Sequence, residues 1–302
     1  MTDNRELIEK IKKLKKEKNA VFLAHNYQRP EIFEIADFIG DSLDLSMAAA
    51  KTDADVIVFC GVDFMAEAAK ILSPGKKVLH PNRMAMCPMA QMVTAAELLE
   101  MKKKHPHAAV VCYINTSAAV KAESDICCTS ANAVEVIESL SEKEIIFVPD
   151  KNLAHYIQTK TGKKIIPWEG NCYVHDKILP EKAREALRLH PGAELVVHPE
   201  CRPDVIALAD AVCSTNQMIG YAKKSSANEF IIGTEEGMIN RLSREVPEKK
   251  FYTIGGTCLQ MKKITLENIF SAIDKEKHEV VIDEDVRVRA KRALDRMLAL
   301  RK

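Results

Sequence analysis

The chain has 302 residues, of which 47% are hydrophobic, and a formal net charge of +1. This length is enough for two or three domains with a large buried core. The near-zero charge gives no electrostatic basis for binding nucleic acid or an anionic membrane, and no segment approaches the roughly 20 apolar residues of a membrane span. We therefore expect neither nucleic acid nor a membrane as a partner.

The first 20 residues predict an amphipathic surface helix. Leu7, Ile8, Ile11 and Leu14 recur at helical spacing and form one apolar stripe between charged residues. The lysines are interleaved with acids, which favours a solvated helix face over a basic binding patch. Because the segment is charged throughout, it lacks the pattern of a signal peptide, and we expect a cytoplasmic protein.

Alternating strands and helices are predicted after this helix. An apolar run ends at His25, a helix is predicted to begin at Ser42, and a second apolar strand occupies residues 55–61. A double lysine starting at Lys76 opens a third strand, and Cys87 follows it shortly afterwards. Strands that alternate with helices in this way are typical of a parallel sheet flanked by helices.

The same order of features occurs twice more along the chain. In the second copy the corresponding residues are Tyr113, Ser130, Lys163 and Cys172. In the third copy they are His198, Thr215, Lys249 and Cys258. The lysine pairs are 87 and 86 residues apart and the cysteines 85 and 86, so residues of different types share one period.

The repeats predict an α/β fold of three pseudo-threefold-related domains, each a three-layer α/β/α unit with a parallel sheet. The predicted domains are residues 1–105, 106–190 and 191–283. Whether the C-terminal helix over residues 284–302 packs on the first domain is left open. Functional loops in parallel sheets lie at the carboxyl ends of the strands. We therefore expect the active site on the central axis, where these ends meet.

The chain has nine cysteines, an odd number, and no CxxC pair. This favours a reducing cytoplasm and excludes zinc-ribbon and ferredoxin spacings. Cys60 and Cys112 lie in apolar strands and are interpreted as packing residues. Cys87, Cys172 and Cys258 share the repeat period, so they can meet on the axis. A structural zinc ion would need a fourth protein ligand. Three cysteines with an open position suit a 4Fe–4S cluster, whose free iron can act as a Lewis acid.

Polar residues at strand ends and helix starts indicate a ligand with several anionic groups. Ser42, Ser130 and Thr215 each stand where a helix is predicted to begin, and a helix N-terminus with a hydroxyl can bind an anion. Simple N-capping is the alternative for each of them. At equivalent strand ends the candidate donors, acceptors and acid–base groups are His25, Asn26, Tyr27, Tyr113, Asn115, His198 and Glu200.

Eight short motifs are distinctive in combination: “AHNYQ” (24–28), “GDSLDLS” (40–46), “CYINTSAAVKA” (112–122), “CTSANA” (128–133), “GNCYVH” (170–175), “VHPEC” (197–201), “CSTNQM” (213–218) and “GGTCLQMKK” (255–263). Together they resemble the quinolinate synthases of bacterial and archaeal NAD biosynthesis, and the resemblance extends over nearly the whole chain. It implies three α/β domains around one 4Fe–4S cluster held by Cys87, Cys172 and Cys258. It also implies condensation of iminoaspartate with dihydroxyacetone phosphate to quinolinate, with release of phosphate and water.

The resemblance also implies site residues. The implied substrate contacts are His25, Ser42, Tyr113, Ile114, Asn115, Ser130, His198, Pro199, Glu200 and Thr215. We interpret Tyr27 and Glu200, from equivalent loops of different repeats, as a catalytic pair that shuttles protons, with both pKa values shifted toward the working range. His175, three residues after an implied cluster ligand, is a third catalytic candidate, which either orients the substrate or supports its loop. The CxxCxxC tract near the C-terminus of some family members is absent here.

Partners and alternatives complete the sequence-based picture. Iminoaspartate implies functional coupling to an L-aspartate oxidase or an L-aspartate dehydrogenase, while monomer and homodimer both stay open. The diphthamide-forming radical enzymes also place one cysteine in each of three repeats, but “AHNYQ” and “VHPEC” argue against them. A non-catalytic iron–sulfur carrier would more naturally use four cysteines and would not need three hydroxyls at helix starts.

Overall fold

The structure is a computed structural model that describes residues 2–300. The first repeat contains α1 (Thr2–Glu17), β1 (Ala20–His25), β2 (Phe38–Gly40), α2 (Ser42–Lys51), β3 (Val56–Cys60), α3 (Asp63–Leu72), β4 (Lys77–Leu79) and α4 (Ala95–Lys104). The second contains β5 (Ala109–Tyr113), α5 (Ala118–Ala122), β6 (Ile126–Cys128), α6 (Ala133–Glu138), β7 (Glu144–Val148), α7 (Lys151–Gln158), β8 (Lys164–Pro167), α8 (Tyr173–Asp176) and α9 (Pro180–Leu189).

The third repeat has the same alternation and is followed by one more helix. It contains β9 (Glu194–Val197), α10 (Pro203–Ile206), β10 (Ala211–Val212), α11 (Thr215–Lys224), β11 (Glu229–Gly233), α12 (Met238–Glu245), β12 (Lys250–Thr253) and α13 (Leu266–Lys275), and then α14 (Glu284–Ala299) follows. Short 3-10 helices lie at Pro30–Glu34, Met89–Gln91 and Met261–Lys263.

Each repeat forms one parallel four-stranded sheet, and the strand order is the same in all three. The orders are β2–β1–β3–β4, β6–β5–β7–β8 and β10–β9–β11–β12. Helices flank the sheets, and central strands such as β3 and β5 are buried at every residue because both faces are covered. The predicted α/β class with three related units is confirmed. The predicted domain boundaries stay a prediction.

Each sheet has a short edge strand that the sequence did not predict. β2, β6 and β10 are only two or three residues long, too short to show a hydrophobic period. A repeated aspartate beside each short strand accepts a backbone N–H of the neighbouring central strand. The pairs are Phe22–Asp37 (2.8 Å), Val110–Asp125 (2.7 Å) and Leu195–Asp210 (2.7 Å). These aspartates share the repeat period because they fasten the edge strands.

The repeated lysines are structural as well. Lys76 Nζ donates to the carbonyl oxygen of Ala54 at 2.7 Å, and Lys163 Nζ donates to that of Ile137 at 2.8 Å. Lys249 Nζ donates to the carbonyl of Ala222 at 2.7 Å. In each repeat the lysine therefore satisfies a carbonyl at or just beyond the C-terminal end of the helix that precedes the second central strand.

The predicted N-terminal amphipathic helix is present as α1. Its apolar residue Ile11 is fully buried, in a cluster with Phe22 and Ile273. The helix thus covers β1 and α13, as a stripe of apolar residues on one face requires. Across residues 2–300, neither this helix nor any other is both long and apolar enough to span a bilayer.

The last helix joins two repeats. α14 packs along α5 and β6 of the second repeat and also contacts α3 of the first. Its buried residues are Ala290, Ala293, Leu294 and Met297. Residues 301 and 302 of the predicted C-terminal helix lie outside the described residues.

Candidate active site where the three sheets meet

A cavity lies where loops at the carboxyl ends of strands from all three sheets come together. It has about 770 Å³ of space, counting its opening to solvent. The predicted site residues that line it are His25, Tyr27, Ser42, Cys87, Tyr113, Asn115, Ser130, Cys172, His175, His198, Glu200, Thr215 and Cys258. Ile114 and Pro199 are buried beside lining residues but do not line the cavity. Contact of any of these residues with substrate stays a prediction.

The histidines of the first and third repeats occupy equivalent positions and make equivalent bonds. His25 ends β1 and its Nδ1 accepts the backbone N–H of Tyr27 at 3.2 Å. His198 follows β9 and its Nδ1 accepts the backbone N–H of Glu200 at 3.3 Å. These bonds leave the proton of each neutral imidazole on Nε2. Burial lowers the pKa of both histidines to about 3, so both rings are neutral at pH 7.

The three period-sharing cysteines all line the cavity, each from a different repeat. Cys172 precedes α8, and Cys87 and Cys258 each lie shortly before a 3-10 helix. Burial raises the pKa of all three thiols. Negative charge on Cys258 raises the pKa of Cys87 further, and charge on Cys87 does the same for Cys172. All three thiols face one cavity, and a cationic group bound there would favour their thiolate forms.

The spacing of these sulfurs bears on the kind of group they could hold. Among residues 2–300, the three-ligand set with all donor atoms within 4.8 Å of one another is Cys172, His175 and Glu200, not the three cysteines. At least one pair of the cysteine sulfurs is therefore more than 4.8 Å apart, too far for both to bind one zinc ion at about 2.3 Å each. A cluster of several irons is larger and takes cysteine thiolate at separate irons. The donor set and its spread therefore fit the predicted cluster better than a zinc ion.

The predicted helix start at Ser130 is wrong, because α6 begins at Ala133 after its N-cap residue Asn132. The hydroxyls of Ser42 and Thr215 do lie at helix starts, but neither is the N-cap of its helix. Ser42 is the first residue of α2, and the preceding Asp41 accepts the backbone N–H groups of Leu43 and Asp44 at 3.0 Å. Thr215 is likewise the first residue of α11, after its N-cap residue Ser214. Simple capping, the alternative interpretation, therefore does not explain Ser42 or Thr215.

Two of these hydroxyls instead make contacts between repeats. Thr215 Oγ1 accepts a hydrogen bond from Asn26 Nδ2 at 2.9 Å, which joins the third repeat to the first. Ser130 Oγ lies 3.2 Å from His198 Nε2, which joins the second repeat to the third. Since all of these residues except Asn26 line the cavity, the contacts set its shape and present polar atoms to it.

A chain of polar contacts crosses the cavity wall from Tyr27 to Tyr113. The Tyr27 hydroxyl lies 2.6 Å from Thr234 Oγ1, which lies 2.8 Å from His175 Nε2. His175 Nδ1 lies 2.9 Å from Glu200 Oε2, and the other oxygen of Glu200 accepts a short hydrogen bond from Tyr113. The predicted pairing of Tyr27 with Glu200 is therefore wrong as a direct contact, because Thr234 and His175 stand between them.

The pKa values of the tyrosines and the glutamate in this series of contacts also differ from the prediction. Burial raises the pKa of Tyr27 and of Tyr113 well above the usual 10.0. Burial also raises the pKa of Glu200, but His175 and His198 more than offset this, and the pKa falls to about 2. The phenol and the carboxyl thus move away from neutrality, so at pH 7 Glu200 is an anion and both tyrosines are protonated.

Thr234 and Lys262 are among the residues near the site that the sequence analysis missed. Thr234 is fully buried and supplies the central hydroxyl of the chain just described. The side chain of Lys262 donates to the backbone oxygen of Tyr27 and lies 3.0 Å from Glu235. Lys262 could have been found, since it belongs to the motif that contains Cys258. Its charge helps to keep the pKa of His25 low.

Comparisons with known proteins give one consistent result. The family model described as Quinolinate synthetase A protein matches residues 9–299. A quinolinate synthase of Methanosarcina barkeri is 56% identical over 298 residues, covering 98% of each chain. A quinolinate synthase of Geobacter sp. strain M21 is 58% identical over 292 residues, covering 96% of each chain. One from Alkaliphilus metalliredigens is 53% identical over 298 residues, covering 98% of each chain.

Proposed function

The chain belongs to the quinolinate synthetase A protein family, and from that premise we propose that it condenses iminoaspartate with dihydroxyacetone phosphate to give quinolinate, phosphate and water. The observation that carries the proposal is one cavity lined by a cysteine from each repeat together with buried histidines, tyrosines and a carboxylate. Residues of these types are able to hold a cluster, bind anions and move protons at one place.

The proposed cofactor is one 4Fe–4S cluster per chain, held by Cys87, Cys172 and Cys258. When bound, a cluster with three protein ligands supplies an open iron that acts as a Lewis acid toward a substrate oxygen. The chain supports such binding by placing one thiol from each repeat around one cavity, with the sulfurs spread more widely than a single ion requires.

Anion binding is proposed for the polar wall of the cavity. Iminoaspartate has two carboxylates and the triose has a phosphate, so the substrates need several donors. Ser42 and Thr215 are the first residues of α2 and α11, where the helix dipole favours negative charge and each side chain adds a hydroxyl donor. The neutral rings of His25 and His198 provide N–H donors without adding positive charge to the cavity.

We propose that protons move along the series of side-chain contacts that joins Tyr27, Thr234, His175 and Glu200. Because the carboxylate of Glu200 is ionised and lies 2.9 Å from His175 Nδ1, it favours a proton on that nitrogen. His175 Nε2 is then an acceptor for the hydroxyl proton of Thr234, whose oxygen can accept the proton of Tyr27. The phenol of Tyr27 would exchange protons with the substrate at the cavity end of this chain.

This arrangement gives His175 a third role beside the two that the sequence left open. It connects Thr234 and Glu200 in the proposed proton path, so it is a catalytic residue by function rather than only a loop support. Tyr113 would hold the second oxygen of Glu200 and keep the carboxylate turned toward His175.

The remaining context is part of the same proposal. The protein acts in the cytoplasm, where nine cysteines without a disulfide framework are stable as thiols. Its iminoaspartate comes from an L-aspartate oxidase or an L-aspartate dehydrogenase, and the chain works as a monomer or a homodimer.

Anaerobic purification with iron and sulfide analysis, followed by assay with both substrates, tests the proposal. We expect four irons per chain and quinolinate that forms only when iminoaspartate and dihydroxyacetone phosphate are both present. A protein that binds the cluster but neither forms quinolinate nor changes its cluster spectrum with added substrate would instead support the iron–sulfur carrier.

A further inference from the structure

Each of the three cavity cysteines is held through its own backbone N–H by a carboxylate. The bonded pairs are Cys87–Asp63 (2.8 Å), Cys172–Asp150 (3.1 Å) and Cys258–Glu235 (3.0 Å). In each case the acid precedes its cysteine by 24, 22 and 23 residues respectively. The same contact thus occurs once in every repeat, at the residue whose thiol faces the cavity.

The acids occupy equivalent places in the fold. Asp63, Asp150 and Glu235 follow β3, β7 and β11, the second of the two central strands in each sheet. The cysteine loops follow β4, β8 and β12, the neighbouring strands at the sheet edges. Each carboxylate therefore ties the loop after an edge strand to the loop after the strand beside it. The backbone of each cysteine is thereby held in a fixed position relative to its sheet.

Helix capping alone does not explain these carboxylates. Asp150 caps α7 by accepting from Leu153 with one oxygen, but it accepts the N–H of Cys172 with the other. Asp63 lies one residue after Val62, the N-cap position of α3, and Glu235 lies two residues before Gly237, the N-cap position of α12. Only the contact with the cysteine is shared by all three.

The burial of these groups supports a specific role. Asp150 is 0% exposed and Glu235 is 1% exposed. A buried carboxylate is costly unless it is fully hydrogen-bonded or paired. Glu235 is paired with Lys262 and accepts the N–H of Gly237, while Asp63 accepts a second bond from Gln91. The fold therefore keeps a costly buried carboxylate next to Cys172 and Cys258, and in all three repeats the second oxygen of the acid also accepts a hydrogen bond.

We propose that Asp63, Asp150 and Glu235 are positioning residues that hold the three thiols facing one point before a cluster binds. The inference rests on the proposed function, because it takes Cys87, Cys172 and Cys258 as the ligands. Outer contacts that orient metal ligands commonly change metal affinity 10–100-fold when they are removed. Because each carboxylate occupies the amide of the ligand residue itself, that amide is also kept from bonding to a cluster sulfur.

The test compares alanine with amide substitutions. Asp150→Ala and Glu235→Ala remove the acceptor oxygen, whereas Asp150→Asn and Glu235→Gln keep one at the same place. After anaerobic reconstitution with iron and sulfide, iron loss to a chelator is timed for each variant. We expect iron loss about 10–100-fold faster in the alanine variants and near the wild-type rate in the amide variants. Hydrogen exchange of iron-free protein should show faster exchange in the segment that contains the affected cysteine.

Asp125→Ala is the matched control. Asp125 makes the same kind of carboxylate–amide bond in the second repeat, but to Val110 at the start of a strand. We expect it to lower stability without speeding iron loss. If Asp150→Ala and Glu235→Ala fold, exchange at the cysteine amides like the wild type and keep iron as long, the inference is wrong.

The proposed function fails separately from this inference. A wild-type protein that takes up no cluster under these conditions would refute the cluster assignment. The exchange measurement on iron-free protein would still show whether the carboxylates hold the cysteine loops, and unchanged exchange in the alanine variants would overturn that part as well.

Discussion

The hydroxyl oxygen of Tyr27 lies 2.6 Å from Oγ1 of Thr234, although 207 residues separate the two in the chain. Tyr27 follows β1 of the first sheet, and Thr234 follows β11 of the third. Thr234 also contacts His175 of the second repeat. A single buried threonine therefore joins side chains from all three repeats, and its hydroxyl is the place to test the proposed proton path.

Thr234→Val removes that hydroxyl while nearly keeping the shape of the side chain. We expect turnover to fall at least ~100-fold, the low end of acid–base contributions, with full iron content. Leaving the Tyr27 hydroxyl and His175 Nε2 unpaired should also cost about 1–3 kcal/mol of unfolding free energy. Steady-state assays and iron analysis provide the measurements. Thr159→Val, at an exposed threonine outside the cavity, is the control and should keep wild-type turnover. Normal turnover in Thr234→Val would break the proposed path at its centre.

Tyr27→Phe and Glu200→Gln remove the two ends of the path. Each variant should keep the cluster and still bind product, yet lose at least ~100-fold in turnover. Since both residues act through Thr234 and His175, the double variant should be little worse than either single variant. Product binding is measured by the change in the cluster spectrum. Losses that multiply in the double variant would show that the phenol and the carboxylate act independently.

The cysteine variants test the ligand assignment. We expect Cys87→Ala, Cys172→Ala and Cys258→Ala each to abolish the cluster, because each removes one of three ligands. Cys60→Ala and Cys112→Ala are controls of the same chemical type at fully buried positions. They should keep iron and cost only packing, about 0.5–3 kcal/mol. Full iron content in any of the first three variants would exclude that cysteine as a ligand.

The hydroxyls at the helix starts should matter for substrate rather than for the helices. Ser42→Ala, Ser130→Ala and Thr215→Ala should raise the apparent KM with little loss of stability, because Asp41 and Ser214 hold the cap positions of α2 and α11 and Ser130 lies before α6. Thr94→Ala is the control, since Thr94 caps α4 in a full capping box. It should cost about 1 kcal/mol and leave KM unchanged. An unaltered KM in all three site variants would leave these hydroxyls with no role in binding.

Two adjacent glycines before Cys258 provide a packing test. A Cβ at Gly255 would overlap the carbonyl oxygen of Thr234, whereas a Cβ at Gly256 would meet no atom within 4 Å. Gly255→Ala should therefore displace Thr234, lower turnover and cost about 1–3 kcal/mol. Gly256→Ala should stay within about 0.5 kcal/mol of the wild type. Denaturant unfolding of the iron-free proteins and turnover of the loaded ones distinguish the two, and equal effects would contradict the geometry.

The sequence predicted the features that recur in every repeat. The repeat period puts Cys87, Cys172 and Cys258 at equivalent positions in the three repeats. Their meeting at one cavity could therefore be predicted. The carboxylates that hold them were also visible in principle, since Asp63 and Asp150 are separated by the same period. They were missed because the third member is a glutamate, and a search for identical residues does not group Asp with Glu.

Features that break the symmetry could not be predicted in this way. The positions equivalent to Thr234 are Val62 and Pro149, so no repeated hydroxyl marks it. The partner of Glu200 is Tyr113 rather than Tyr27, although both tyrosines lie near strand ends. Which of two tyrosines reaches a carboxylate depends on how the repeats pack against each other, and sequence spacing within a repeat contains no information about that distance.

The packing of α14 on the second repeat has a consequence for synthesis of the protein. Arg289 in this helix contacts Glu123 from 166 residues earlier in the chain, and the buried side chains of α14 cover α5 and β6. At the usual translation rate of about 5–20 residues per second, α5 and β6 leave the ribosome on the order of ten seconds or more before α14 does. During that interval the nascent second repeat exposes an apolar face that the finished protein never shows, and molecular chaperones have an accessible surface there.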